Sequence, residues 1–214
     1  MIQFEKLGIF LSKPVAFLLV TIYLVQSMLL IYLVQDKFEL EKQVTFQQKR
    51  IDELEEKLQI YNAIKDFQIG FNEEEIGKLT NVVYEESIKY PYDPMFVLAI
   101  ILTESSFKKG QKSHVGARGL MQVVPFVGKD LADRSGIEWN GSETLYDVET
   151  NIKLGTLHLF EQILEFGDIQ KALAAYNMGS TRVRGLLRKN SELPDKYIKK
   201  VIENYNMLKE KYSV

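Results

Sequence analysis

A glutamate at the end of an apolar segment is the residue of this sequence best placed for acid–base chemistry. Residues 94–104 are typical of a helix, on which Glu104 shares a face with three apolar residues: Val97, Ile100 and Ile101. Apolar neighbours disfavour the ionised carboxylate and raise its pKa toward neutrality. A carboxylic acid protonated near neutral pH can donate a proton to a leaving group, as glycosidic bond cleavage requires. Taken alone, a glutamate at a helix end is more often a solvated terminus.

Two later segments combine small residues with polar side chains. Residues 113–125, SHVGARGLMQVVP, contain two glycines that permit tight backbone approach. They also place a methionine next to a glutamine, an apolar contact beside a hydrogen-bond donor and acceptor. Residues 172–179, ALAAYNMG, begin with small residues that allow close helix packing and end in an aromatic ring and an amide. Each segment alone is also typical of core followed by a turn.

In this order, the segments resemble the soluble lytic transglycosylase (SLT) family of peptidoglycan-cleaving enzymes. The resemblance covers roughly residues 74–201 and rests on four blocks, which read DPMFVLAIILTESSF, GARGLMQVVP, LYDVETNIKLGTLHL and ALAAYNMGSTRV. It implies the family's lysozyme-like α-helical fold for a catalytic domain at residues 71–214. It also implies a peptidoglycan glycan strand as partner, cut at the β-1,4 bond between N-acetylmuramic acid and N-acetylglucosamine.

The resemblance assigns a role to each matched residue. Glu104 corresponds to the catalytic acid/base, the first residue of the family's Glu-Ser pair. The other matched residues are expected to bind substrate or to lie near the acid: Ser105, Ser113, Met121, Gln122, Tyr176, Asn177 and Tyr197. The site implied by the resemblance is therefore one carboxyl group beside a sugar groove lined by amide and aromatic side chains.

The chain departs from the family pattern near the predicted groove. The changed positions are Met178 for an alanine, Ser180 and Thr181 for a Pro-Gly turn, and His158 for a tyrosine. These changes alter the loop but keep the groove side chains. Before Tyr197 the family's Pro-Glu-Thr-Arg is shortened to Pro-Asp-Lys, so the acid of that motif is missing. Its loss weakens any assignment of a second carboxylate.

A single matched carboxylate bears on the type of reaction. Hydrolases of the common retaining or inverting type use two carboxylates. A transglycosylase needs one, because the muramic 6-hydroxyl can attack its own anomeric carbon. The sequence therefore favours a lytic transglycosylase that leaves 1,6-anhydro-muramyl ends. The alternatives are a lysozyme-like hydrolase on the same fold and an envelope scaffold that binds glycan without cutting it, although Glu104 with both groove segments argues against the scaffold.

Composition excludes several other chemistries. The 214 residues include no cysteine, and 27 lysines and arginines against 29 aspartates and glutamates give a net charge of −2. Cysteine chemistry is excluded, and the charge does not favour nucleic-acid binding. His114 and His158 have no carboxylate pattern of a metal site around them, and there is no Gly-rich phosphate loop. We therefore expect no metal, no cofactor and no nucleic acid.

The N-terminal residues 1–35 are predicted to be a membrane anchor. Val15–Val34 carries no charge, and as a helix it would be about 30 Å long, which matches one bilayer core. A buried helix or a cleaved signal peptide usually has a shorter apolar run. Lysines lie on both sides of the segment, so charge alone does not fix its orientation. We expect a single-pass protein of the bacterial cytoplasmic (inner) membrane with its catalytic domain on the periplasmic, cell-wall side.

Residues 36–70 are predicted to form a charged helical stalk. Apolar residues recur at heptad spacing in two rows: Val44, Ile51 and Leu58, and Leu40, Leu54 and Tyr61. Such a seam is typical of a coiled coil and favours a homodimer, with a single solvated helix as the alternative. Beyond the stalk, helices are expected over 76–90, 94–104, 149–166, 168–176 and 194–211. The predicted fold class is all-α, a lysozyme-like domain behind an anchor and a coiled-coil stalk.

Overall fold

The computed structural model describes residues 12–212, in which the chain forms helices joined by loops, and isolated β-bridges pair residues of these loops. The start of the predicted anchor and the end of the predicted catalytic domain, residues 1–11 and 213–214, lie outside the described residues. The helices are, in order, α1 (Lys13–Phe67), α2 (Glu73–Lys89), α3 (Pro94–Ser105), α4 (Pro125–Ser135), a 3₁₀ helix (Ser142–Tyr146), α5 (Val148–Phe166), α6 (Ile169–Met178), α7 (Ser180–Arg188) and α8 (Lys196–Tyr212). The all-α fold class is confirmed for this part of the chain.

The chain divides into two units between Glu53 and Leu54. In the first unit, every large apolar side chain of Val15–Val34 is exposed. Within the described residues, α1 is the helix long and apolar enough to cross a membrane, judged by its length and composition. A helix that is apolar all round belongs in a membrane or a protein core, and none of this apolar stretch is buried in the structure.

The heptad positions of the predicted stalk are open to solvent. Five of them are between 47% and 59% exposed: Leu40, Val44, Ile51, Leu54 and Leu58. The sixth, Tyr61, packs against the core of the second unit. The apolar seam thus lies on an unburied face of α1 up to Leu58, and the coiled-coil dimer stays a prediction.

The core of the second unit begins inside the last turns of α1. Ile60, Ala63 and Ile64 are fully buried. The ring of Phe67 stacks on Phe107, with centroids 6.3 Å apart. The division into domains at residues 35 and 70 stays a prediction, but the packed core extends back to residue 60, inside the segment predicted to be stalk.

Capping residues explain where the helices of the second unit begin and end. Asp93 accepts a hydrogen bond from the Met95 amide and Pro94 lies in the first turn, so α3 begins where the sequence predicts. At the end of α5, Gly167 has a φ of 62°, in the left-handed region that favours glycine. Asp168 then caps α6. The predicted helices correspond to α2, α3, α5, α6 and α8 and are confirmed. Helix α4, the 3₁₀ helix and α7 have no counterpart among the predictions.

Helix α3 is enclosed by its neighbours. Its fully buried residues include Val97, Leu98, Ile100 and Ile101, and it packs against α2 and α8. Helix α5 packs against α2, α4 and α6, and α6 also contacts α7 and α8. A helix that is apolar on nearly all sides has to be covered by the rest of the protein. The burial of α3 therefore fixes the position of its C-terminal end, where Glu104 lies.

Candidate active site

Glu104 is the penultimate residue of α3, and it is partly buried. The helix stops just beyond it, where Ser106 and Phe107 have φ values of 52° and 55° in the left-handed region. Burial raises the pKa of Glu104 to about 7, while the hydrogen bond from Tyr197 and the positive charge of Lys200 act in the opposite direction. The raised pKa expected from apolar neighbours is confirmed, and near neutral pH the group can both donate and accept a proton.

Tyr197 reaches the carboxyl group from α8. Its hydroxyl donates to Glu104 Oε1 over 2.6 Å. Two contacts hold α8 in place: Val201 is fully buried, and Asn204 Nδ2 donates to Thr103 Oγ1 over 2.9 Å. Burial, followed by the charge of Glu104, raises the pKa of Tyr197, so its hydroxyl stays protonated and remains a donor. The structure thus brings two of the predicted site residues into direct contact.

Tyr176 binds the loop between α3 and α4. Its hydroxyl donates to the Met121 carbonyl over 2.7 Å. Burial raises the pKa of Tyr176 well above its usual value, and the charge of Glu104 raises it further. On its other side, the Tyr176 ring lies against His158, with centroids 5.2 Å apart.

The loop between α3 and α4 holds Met121 and Gln122 in different ways. Met121 is fully buried, and its side chain lies against Gly155, where a Cβ would collide with the methionine. Gln122 has a φ of 49°, and its Nε2 donates to the Gly119 carbonyl over 2.7 Å. The resemblance places the Met121 side chain in the groove, whereas the structure buries it beneath the loop and uses its carbonyl to bind Tyr176.

Ser105 and Ser113 use their hydroxyl groups within their own segments. Ser105 Oγ donates to the Ile101 carbonyl over 3.0 Å, one turn earlier in α3. Ser113 Oγ accepts a hydrogen bond from the Ala117 amide over 3.0 Å. Both contacts support the local backbone, and substrate binding by either serine stays a prediction.

A groove of about 590 Å³ lies beside Tyr176. Gln122 and Asn177, two of the predicted residues, also line it, together with His158 and Arg182. Valine side chains cover part of the wall, so the groove combines apolar surface with amide groups that can bind sugar hydroxyls. Nothing in the sequence singles out Arg182, although the matched block ALAAYNMGSTRV contains it.

Carboxylates are missing from the described residues that line this groove. Across residues 12–212 there is also no group of three or more histidine, aspartate or glutamate side chains arranged to hold a metal ion. The chemistry available to the described part of the site is therefore proton transfer by Glu104, with hydrogen bonds from tyrosine and amide side chains.

Asn151 is a positioning residue that no sequence motif above singles out. It is fully buried in α5. Its Nδ2 donates to the carbonyls of Arg118 and Leu145, each over 2.9 Å, and its Oδ1 accepts from the Met121 amide over 2.8 Å. Gly119 lies so close that a Cβ there would collide with the Asn151 amide. Asn151 therefore fixes the loop between α3 and α4 against α5.

We expect Asn151→Asp to destabilise the chain by about 3 kcal/mol or more. The change replaces two donors with an oxygen that faces carbonyl groups, and it buries a charge. Urea unfolding of the detergent-solubilised chain measures the effect. Asn140→Asp is the control, because Asn140 is exposed, and it should change stability by less than about 0.5 kcal/mol. Equal unfolding midpoints for the two variants would contradict the positioning role.

An all-α domain that combines a partly buried carboxyl group of near-neutral pKa with a groove lined by valine, amide and aromatic side chains defines a class of protein, an acid–base catalyst. Residues 81–199 match the transglycosylase SLT domain family. Because the match covers more than half of the chain, the chain belongs to that family. The resemblance inferred from the sequence blocks is confirmed.

Individual relatives match part of the chain. The transglycosylase of Enterobacteria phage PRD1 is 34% identical over 122 residues, 57% of this chain and 41% of the relative. The membrane-bound lytic murein transglycosylase C of Cronobacter sakazakii is 41% identical over 85 residues, 38% of this chain and 23% of the relative. The structure of an inactive mutant of lytic transglycosylase Slt from Pseudomonas aeruginosa matches with a TM-score of 0.54 and 26% identity, over 61% of this chain and 24% of that one. This chain spans less than half the length of each.

Proposed function

We propose that this chain is a lytic transglycosylase that cleaves the β-1,4 bond between N-acetylmuramic acid and N-acetylglucosamine in peptidoglycan. The observation that carries the proposal is Glu104, a partly buried carboxyl group with a pKa of about 7 at the end of α3, bound by the Tyr197 hydroxyl. Membership of the SLT family and the names of the relatives support the choice of substrate.

The first step is protonation of the leaving group. The Glu104 carboxyl group donates its proton to the oxygen that bridges the two sugars, and the bond from that oxygen to the muramic anomeric carbon breaks. A pKa of about 7 keeps a large fraction of the group protonated at neutral pH, so the proton is available without a second acid. Tyr197 stabilises the carboxylate that forms, because its hydroxyl already donates to Oε1.

The second step closes a ring within the substrate. The Glu104 carboxylate takes the proton of the muramic 6-hydroxyl, whose oxygen forms the new bond to the anomeric carbon. The product is a 1,6-anhydro-muramyl end, no water is consumed, and Glu104 recovers its proton. An intramolecular attack benefits from a high effective concentration and does not need a second carboxylate to activate water. The uncharged amide and tyrosine groups of Gln122, Tyr176 and Asn177 orient the sugars in the groove.

The Tyr197 hydroxyl gives a pH-dependent prediction. Its hydrogen bond favours the carboxylate and lowers the pKa of Glu104. Tyr197→Phe should therefore raise that pKa and move the alkaline limb of the kcat/KM profile to higher pH. We expect the rate at pH 6 to fall by less than about tenfold, because one hydrogen bond is lost.

Tyr205→Phe is the matched control for Tyr197→Phe. The Tyr205 hydroxyl, also on α8, donates to Asp93 Oδ2 over 2.8 Å. Its removal should leave the alkaline limb in place. A limb that stays fixed or moves to lower pH in Tyr197→Phe would contradict the assigned contact.

We propose that the segment Val15–Val34 anchors the protein as a single pass in the bacterial cytoplasmic membrane, with the second unit on the cell-wall side. The exposed apolar side chains of this segment and the membrane-bound name of one relative support the proposal. The full chain should sediment with membranes and resist extraction at alkaline pH. Recovery of the full chain in the soluble fraction would overturn the anchor.

We propose further that the stalk forms a parallel homodimer through its heptad seam. The support is the exposure of Val44 and Ile51 at positions where a coiled coil buries apolar residues. The double variant Val44→Glu, Ile51→Glu should lower the dimer fraction of the detergent-solubilised chain in sedimentation equilibrium. An original chain that is monomeric at high concentration would favour the single solvated helix.

Release of soluble fragments from purified peptidoglycan tests the proposed function. We expect the chain to solubilise wall material and the Glu104→Gln variant to bind the same material without releasing it. If the original chain binds glycan and releases nothing, it is a scaffold and not an enzyme.

A further inference from the structure

Arg182 is the charged side chain of the groove. It is exposed and lines the groove with uncharged residues. Within the part of the chain that the structure describes, no ion pair or hydrogen bond involves its guanidinium group. We propose that Arg182 binds a carboxylate carried by the substrate, so that the site prefers glycan strands bearing anionic peptide stems over bare glycan. This inference rests on the proposed function and names the substrate class of the same groove.

The neighbours of Arg182 hold its helix in place. Val183, the next residue of α7, is fully buried in the core. Arg184 pairs with Glu165 of α5, with an N–O distance of 3.1 Å. The short helix therefore has one residue anchored in the core and one tied to α5, and the residue before them faces the groove. Arg182 is presented by a fixed backbone, and the guanidinium group can turn toward a ligand.

Within residues 12–212, two other arginines near α5 are paired with carboxylates, whereas Arg182 is not. Arg184 is neutralised by Glu165. Arg134, which also lies near α5, is bound by both Asp130 and Glu161. Among the described residues no carboxylate pairs with Arg182, although acidic residues outnumber basic ones in the chain as a whole. A substrate carboxylate would be its partner.

The chemistry of the substrate supplies that partner. The sugars of a glycan strand have uncharged hydroxyl and acetamido groups, whereas the muramic acid residues carry peptide stems with free carboxylates. A guanidinium group binds a carboxylate through two parallel hydrogen bonds, with a geometry that an ammonium group lacks. Because Asn177 and Tyr176 line the same groove as Arg182, a strand bound there lies against the residue that carries the guanidinium group.

Binding measurements on three ligands test the proposal. The full chain is solubilised in detergent and carries Glu104→Gln to prevent turnover. The ligands are soluble glycan oligomers with intact stems, the same oligomers with stem carboxylates converted to amides, and N-acetylglucosamine oligomers, which carry no carboxylate. We expect intact oligomers to bind about three- to fivefold more tightly than the other two, the range of an exposed ion pair. Adding Arg182→Gln should remove this preference.

Arg188→Gln is the matched control. Arg188 lies in the last turn of α7 and is exposed, but it does not line the groove. Its loss removes the same charge from the same helix and should preserve the preference. Arg182→Lys should retain part of it. The proposal is overturned if Arg182→Gln keeps the full preference for intact stems, or if the amidated oligomers bind as tightly as the intact ones. Since binding is the readout, a chain that binds selectively but never cleaves would refute the proposed function and leave this inference standing.

Discussion

Glu104→Gln is expected to lower turnover on purified peptidoglycan by about 100- to 10,000-fold, which corresponds to about 3 to 5 kcal/mol of barrier. The amide keeps the shape of the side chain and can accept the Tyr197 hydroxyl, but it cannot donate a proton to the bridging oxygen. Glycan binding should persist. Glu192→Gln, at an exposed position, is the control and should be fully active. Near-normal turnover by folded Glu104→Gln would remove Glu104 from the catalytic role.

The same variant should be more stable than the original chain at alkaline pH. The folded-state pKa of Glu104, about 7, lies above the ordinary value of 4.5, so the folded chain binds more protons between these two pH values. The original chain therefore loses stability as the pH rises from about 4.5 to 7, and the amide abolishes that loss. At pH 8 we expect Glu104→Gln to gain about 1 to 3 kcal/mol, and at pH 4 almost nothing. Urea unfolding at both pH values checks this signature, which a merely exposed glutamate would not produce.

A chain that starts at Phe71 should be strongly destabilised relative to one that starts at Leu54. The shorter chain lacks Ile60 and Ile64, both fully buried. Burial of two such side chains contributes about 3 to 6 kcal/mol, against a total of about 5 to 15 kcal/mol for a typical domain. It also lacks Phe67, which stacks on Phe107. We expect a melting temperature lower by about 10 °C or more, or no cooperative transition.

The two truncated chains give a clear comparison because both lack the apolar segment and differ only in residues 54–70. The longer one should be soluble, folded and active on isolated wall. A double variant of it, Ile60→Ala with Ile64→Ala, should reproduce most of the loss and attribute it to the core contacts. Melting temperatures within about 2 °C for the chains starting at Leu54 and Phe71 would mean that the last turns of α1 do not stabilise the second unit.

The features that the sequence predicts well depend on local signals. The helix α3 has a capping aspartate followed by proline, and its apolar run predicts both its burial and the raised pKa of Glu104. α5 ends at Gly167 because glycine takes a left-handed φ readily. These effects act within a few residues along the chain, so the sequence is enough to identify them.

The features that the sequence does not predict arise from contacts between distant segments. Asn151 bonds to the loop about 30 residues earlier. The sequence marks it only by its place in the matched block LYDVETNIKLGTLHL, one helical turn before Gly155. The burial of Met121 depends on the close approach of α5 at that glycine. The extension of the core to Ile60 follows from packing in the second unit, because the charged, heptad-like sequence there is equally typical of a solvated stalk. Tertiary packing decides each of these cases.

The chemical form of the cleaved ends tests the central claim most directly. Purified peptidoglycan is digested in water enriched in ¹⁸O, and the soluble fragments are analysed by mass spectrometry. If Glu104 activates the muramic 6-hydroxyl, the cleaved ends should be 1,6-anhydro-muramyl groups. These ends are lighter by one water than reducing ends and contain no ¹⁸O. Predominantly reducing ends labelled with ¹⁸O would show that water completes the reaction, and they would replace the transglycosylase with a lysozyme-like hydrolase.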